Sequence, residues 1–229
     1  SQLSTQLHRQ ADGLWQIQAL QAHIAKGRVQ GEGQQTSAGW TGRVRITGIQ
    51  PDQLHTALAG SALNGQIQAQ SIDARTVAVQ ADLTADRSPQ TRAGLQWERL
   101  HLKGLWQATL WDIQSLDVQA ADARLQGQFR YKPAQQTAQG QLKWQSPGLQ
   151  AQAEGLLAPQ QGQGHIQLDI SDATVGMAWL KRWPGWTERL QGWQASGPAH
   201  MHAQWQGGFQ QSDTTVQWQT TLPRLTAQT

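Results

Sequence analysis

The side chains best placed for chemistry are His200 and His202, which flank Met201. Alternation along a strand would aim both imidazoles at one face, as a two-histidine metal pair requires. No third ligand accompanies them and the chain has no cysteine, so two solvent-facing histidines are the simpler expectation. Asp82 with Asp86, and Asp169 with Asp172, read as turn and cap residues rather than acid–base pairs. Gly31-Glu-Gly33 and Gly162-Gln-Gly164 lack the third glycine and the following helix of a nucleotide loop. No Ser, His and Asp order sits in a local catalytic motif. The residues therefore point to no catalytic group, no metal, no cofactor and no enzyme.

The elements that carry these residues have a period of two. Trp15, Ile17 and Ala19 alternate with glutamines; the phase then slips by one, and Leu20, Ala22 and Ile24 continue. Such a slip predicts a turn or a bulge. The same alternation runs through Val44 and Ile46, through Ile67 and Ala69, and through Val77, Val79, Ala81 and Leu83. It returns at Trp106, Ala108 and Leu110, at Leu116, Val118 and Ala120, and at Leu125, Gly127, Phe129 and Tyr131. Leu142 with Trp144, then Leu149, Ala151 and Ala153, and then Ile166, Leu168 and Ile170 continue it. Met201, Ala203 and Trp205, and finally Val216 and Trp218, close the series. One-sided alternation of this kind argues for antiparallel strands with one apolar and one polar face.

So many one-faced strands must hide their apolar side. A sandwich or barrel core would do so. A curved trough with an apolar interior would do so only with a guest, for which acyl chains are suited. Trp15, Ile17, Val44, Ile46, Ile67, Val77, Val79, Leu83, Leu116, Val118, Phe129, Leu142, Ile166, Leu168 and Ile170 are the candidate lining residues in that case. Alternation alone leaves core and groove both open. A lipid-embedded barrel is disfavoured by two breaks in the period that read as helices.

The first break, Gln50–Leu58, predicts a short helix with Pro51 in its first turn and Leu54, Ala57 and Leu58 on its apolar face. The second, Ser171–Trp183, predicts a longer helix capped by Ser171 or Asp172 and ended by Pro184-Gly185. Met177, Leu180 and Trp183 would face the sheet. Trp179, Trp183 and Trp186, with Lys181, Arg182 and Arg189 nearby, are candidates for contact with lipid headgroups. The alternative is a helix packed over the sheet edge or groove mouth.

Composition narrows the classes further. Only 14% of residues are charged, yet mean hydropathy is −0.59, because 42 glutamines supply the polarity. Hydrophobic residues reach 38%, with 12 tryptophans, which excludes a typical disordered chain. The net charge of +3 is not gathered into a basic run, so nucleic acid is not an expected partner. Most tryptophans lie within strand alternation rather than on a loop platform, so sugar stacking is the weaker use for them. No stretch approaches the ~18 apolar residues of a membrane span. The chain opens at Ser1 and stops within strand-like sequence, which reads as a piece of a larger protein and leaves room for a membrane anchor outside it.

Two imperfect repeats, 13–103 and 104–218, are expected within a 1–229 segment that has no strong internal boundary. Gly13-Leu-Trp-Gln16 returns as Gly104-Leu-Trp-Gln107, and Arg28-Val-Gln-Gly31 as Arg124-Leu-Gln-Gly127. Ala85–Thr91 and Pro133–Ala138 read as loops.

Three segments resemble a known family. Trp40-Thr-Gly-Arg-Val-Arg-Ile-Thr-Gly-Ile-Gln-Pro-Asp-Gln-Leu54, Ala62-Leu-Asn-Gly-Gln-Ile-Gln-Ala69 and the Trp179–Gly192 passage are similar to TamB, the inner-membrane-anchored partner of the outer-membrane protein TamA. The likeness extends over most of Gly13–Gly208. It implies an all-β, elongated, mostly antiparallel, curved β-sheet groove (a β-taco) with two short helices. It also implies a periplasmic location and a role in outer-membrane biogenesis. The implied partners are phospholipid acyl chains, a TamA-like outer-membrane β-barrel protein, and outer-membrane protein substrates such as autotransporters. AsmA-like bridge proteins share this architecture. The family brings no catalytic motif.

Overall fold

The computed structural model describes residues 3–53, 58–59, 61–86, 95–183, 185–212, 214–221 and 224–227. The fold is all-β, mostly antiparallel, curved and not closed, with two helices. The residues group into two compact units, Ser1–Ala121 and Asp122–Thr229.

The first unit holds β1 (Leu3–Arg9), β2 (Trp15–Ile24), β3 (Gly27–Thr36), β4 (Gly39–Ile49), β5 (Leu58–Ala59), β6 (Leu63–Ser71), β7 (Val77–Ala85), β8 (Leu95–Gln107) and β9 (Leu110–Ala120). Its main sheet has the order β1-β2-β3-β4-β6-β7-β8-β9, and each strand is antiparallel to its neighbours. The two-residue β5 adds a parallel pair to β8. In the second unit lie β10 (Ala123–Lys132), β11 (Thr137–Ser146), β12 (Leu149–Leu157), β13 (Gln163–Ile170), α1 (Ala173–Leu180), α2 (Trp186–Arg189), β14 (Trp193–Ser196), β15 (Ala199–Gln206), β16 (Thr215–Thr221) and β17 (Arg224–Ala227). Its sheet order is β10-β11-β12-β13-β15-β16, with β14 and β17 paired separately.

Short connections explain the meander. Ala25 and Lys26, both at positive φ (48° and 64°), turn β2 into β3, as a two-residue hairpin loop demands. The Asp73 carboxylate accepts from Arg75 N (2.7 Å) and Thr76 N (2.9 Å) in the turn from β6 to β7. The phase slip in β2 is a bulge: Ile17 pairs with Gly33 and Leu20 with Gly31, so both apolar residues keep one face. A second bulge in β9, between the Lys103–Ser115 and Gly104–Ile113 pairs, does the same for Ile113 and Leu116. The third lies in β4, where Gly48 takes φ +70° and its N–H donates to Asn64 Oδ1 at 2.9 Å.

Three expectations need adjustment. The stripe Trp106, Ala108, Leu110 is not one strand: Ala108 lies in the turn between β8 and β9, and Trp106 pairs with Trp111. Tight-turn residues kept the alternating pattern by chance. Of Gln50–Leu58, the structure shows a three-residue 3-10 turn at Pro51–Gln53; residues 54–57, with Leu54 and Ala57, lie outside the described residues, and Leu58 opens β5. The second expected helix, Ser171–Trp183, is the shorter α1, and the four-residue α2 lies beyond that range. The Asp172 carboxylate caps α1, accepting from Thr174 N (2.8 Å) and Val175 N (3.4 Å). Its buried face is Ala173, Gly176 and Trp179, while Met177 and Leu180 are half-buried. The small residues bring the helix backbone against the turn at Gly148, where an added Cβ would lie 2.5 Å from Asp172 O.

Gly13–Gln16 leads into β2, whereas Gly104–Gln107 ends β8, and the two units divide at Ala121. Pro133–Gln135 forms a 3-10 turn, and most of 85–91 lies outside the described residues.

Candidate functional site: the apolar face of each sheet

Directly paired residues point to the same side of a sheet, so the register shows which side chains share a face. In the first unit four apolar rows run across the strands. One is Val29–Ile46–Gly65–Leu83–Leu100–Val118, and the next is Leu20–Gly31–Val44–Ile67–Ala81–Leu102–Leu116. A third is Ile17–Gly33–Gly42–Ala69–Val79–Gly104–Ile113, and the last holds Trp15, Trp40, Val77, Trp106 and Trp111. In the second unit Phe129, Leu142, Ile166, Leu168 and Ile170 alternate onto one face with Leu125, Trp144 and Met201. Every candidate lining residue therefore shares the apolar face of its own unit.

That face is not a core. None of the fifteen candidates is buried; Trp15 is 51% exposed, Ile17, Leu142 and Ile166 are each 37% exposed, and the rest are half-buried. The described buried hydrophobic residues are mostly small, and include Ala81, Ala120, Ala123 and Ala199. A packed sandwich would bury stripe residues of this size almost completely.

In the first unit the glycines shape this face. Gly31, Gly33 and Gly42 leave a depression of about 540 Å³ against Ile17, Leu20, Val44, Ile67 and Ala69, with Trp15 and Trp40 at its margin. An added Cβ at Gly42 would meet nothing closer than 3.7 Å. Among the described residues no side chain fills that space. The opposite face carries a larger polar depression of about 640 Å³, lined by glutamines such as Gln34, Gln68 and Gln80 with Arg43 and Lys103. The first unit is thus hollowed on both faces, and polarity distinguishes them.

The second unit treats its apolar face otherwise. Trp205 lies across Gly164, where an added Cβ would sit 2.2 Å from the indole, and its Nε1 reaches Leu156 O at 3.4 Å. At the other end of the strands Trp144 packs edge-on against Trp179 (5.8 Å, 64°) and lies 6.3 Å from Trp183. Trp179 is only 5% exposed, so it is part of the helix–sheet packing rather than a surface contact. Trp183 is half-buried, and Trp186 alone of the three interface candidates is largely exposed, at 43%. The helix consequently covers one end of this face.

The histidines lie on the polar faces. His200 Nδ1 is 2.8 Å from Asp169 Oδ1, and Gln167 Nε2 donates to Asp169 Oδ2 at 2.8 Å. The first unit repeats this triplet: His101 Nδ1 is 2.5 Å from Asp82 Oδ1, and Gln80 Nε2 donates to Asp82 Oδ2 at 2.9 Å. In each case the histidine is the direct cross-strand partner of the aspartate. The histidine bond, followed by the glutamine bond, holds both carboxyls below the ordinary aspartate value. His202 stacks on His165 with ring centroids 6.3 Å apart. Among the described residues no group of three or more His, Asp or Glu side chains has the geometry to hold a metal ion.

Sequence reasoning missed Trp40, Trp111 and the Gly31, Gly33, Gly42 cluster. The pairing of glycines on adjacent strands is the signal, and it is visible only once register is known. No described helix is long and apolar enough to cross a membrane. No family model, curated protein or solved structure matches the chain.

Proposed function

We propose that this chain is a non-catalytic segment of a TamB-like periplasmic protein that holds or conducts phospholipid, seating acyl chains on the apolar faces of its sheets. The observation that carries the reading is the exposure of the stripes: ten apolar residues on one face of the first unit and five on one face of the second, none of them buried. Leaving such surfaces against water is unfavourable by roughly 25 cal/mol per Å², and a bound acyl chain removes that cost. The surface is non-directional, so chains slide along it without breaking specific bonds. The three sequence segments similar to TamB add the periplasmic setting, the inner-membrane anchor outside this segment, and a TamA-like barrel as partner.

A second activity of the same reading is assistance to outer-membrane β-barrel proteins and autotransporters. The three sequence segments similar to TamB carry it, since that family is implicated in the assembly of such proteins.

Native mass spectrometry with lipid extraction of the purified chain tests the main reading. Co-purifying phospholipid that is lost in Ile67→Arg and Leu168→Arg supports it. A lipid-free protein that also takes up none from added vesicles overturns it and favours a carbohydrate- or protein-binding module.

A further inference from the structure

The apolar face of the first unit has unlike ends: four tryptophans mark one, and the other holds the single, half-buried Trp97 opposite Ala120. At one end stand Trp15, Trp40, Trp106 and Trp111, with Gln35, Ser71 and Val77 between them at the same level of the strands. Trp15, Trp40 and Trp106 are 51%, 42% and 51% exposed, and the rings of Trp106 and Trp111 lie 4.6 Å apart. The Arg9 guanidinium sits 6.0 Å over the Trp15 ring. At the other end the chain crosses the strand termini: Gln50 N donates to Ala25 O at 3.0 Å, and Ile49 and Pro51 are buried. The space there is closed; an added Cβ at Gly27 would lie 2.5 Å from Ile49 N.

Indole rings with one apolar body and one N–H suit a boundary between hydrocarbon and water. A cation stacked on the outermost ring suits a phosphate. We infer that a phospholipid on this face lies along the strands, with its phosphate and ester groups at the tryptophan row beside Arg9 and its chain ends toward Ile46 and Leu83. This rests on the lipid-holding reading and adds a direction to it.

Length supports the direction. The tryptophan row and the Ile46–Leu83 row are six residues apart along β4 and β7, which is ~20 Å at ~3.3 Å per residue. The hydrocarbon of one bilayer leaflet is about 15 Å deep, half of the ~30 Å core. Acyl chains laid along the strands therefore end before the closed margin.

The test uses two phosphatidylglycerol probes with the intact chain, one carrying a diazirine beside the headgroup and one at the chain terminus. After irradiation, labelled peptides are mapped by mass spectrometry. The expected result is several-fold preferential labelling of peptides holding Trp15, Trp40 or Trp106 by the headgroup probe, and of those holding Ile46 or Leu83 by the chain-end probe. The reverse pattern, or equal labelling of both ends by both probes, overturns the direction while leaving lipid binding intact. No labelling by either probe, in protein that also retains no lipid, overturns the underlying reading and this inference with it.

Discussion

Filling the glycine depression separates a lipid seat from an incidental hollow. In Gly42→Leu the new Cβ meets only Glu32 O and Trp40 at 3.7 Å, so the strand accepts it without a clash. Removing a strand glycine is itself stabilising by about 0.5–1 kcal/mol. The four side-chain carbons project into the depression of about 540 Å³ and displace roughly four methylenes of a bound chain. At about 0.8 kcal/mol per methylene this is about 3 kcal/mol for full burial, and about half that on an open face. The expected loss of affinity is therefore on the order of tenfold to a hundredfold. The assay is titration with a fluorescent phospholipid, with a thermal melt of each protein beside it. Gln70→Leu is the control, since it places the same leucine side chain on the opposite, polar face, where Gln70 pairs with Thr41 and Ala78. An unchanged affinity in a well-folded Gly42→Leu protein, or an equal loss in the control, would refute the reasoning.

Other perturbations test the fold and its polar faces. Trp179→Ala should cost about 3–5 kcal/mol in denaturant unfolding, because a large side chain at 5% exposure leaves a cavity beside Trp144; a cost below about 1 kcal/mol would show that the aromatic cluster does not hold the helix. Gly164→Val should be destabilising by about 1–3 kcal/mol or more through overpacking against Trp205, and Trp205→Ala in the same chain should relieve part of it in a double-mutant cycle. Asp82→Asn should lower stability at neutral pH. Because the folded-state pKa of Asp82 is depressed, its contribution is fully present above the ordinary carboxylate pKa of about 4 and is lost as pH falls through the lower folded value. Acid titrations of the two proteins should converge below that range; curves that stay parallel would count against the His101–Asp82 pair.

Much of the fold was legible because the alternation is one-sided. Val77, Val79, Ala81 and Leu83 name their strand and their face without help, and the slip after Ala19 pointed to a turn or a bulge, of which the structure has the bulge. Tight turns were harder to read: Ala108 sits at a phase that suits a strand, and Ala25-Lys26 carries none of the usual glycine or asparagine marks of its hairpin. The helix face was misjudged because α1 packs through Ala173, Gly176 and Trp179, a phase that leaves Met177 and Leu180 only half-buried. The depression was invisible in one dimension. Gly31, Gly33 and Gly42 are separated along the chain and become neighbours only through the pairing of β3 with β4.

The bulges in β2 and β9 bear on how such a chain changes length over generations. Inserting or deleting one residue in an ordinary strand exchanges its two faces beyond that point. Losing Gln18 or Ala19 would instead convert Ile17 through Leu20 into plain alternation, with both residues still on the apolar side. The same holds for Gln114 or Ser115 between Ile113 and Leu116. At these two positions a single-codon deletion is absorbed as a local straightening, so the gene can shorten there without turning the sheet inside out.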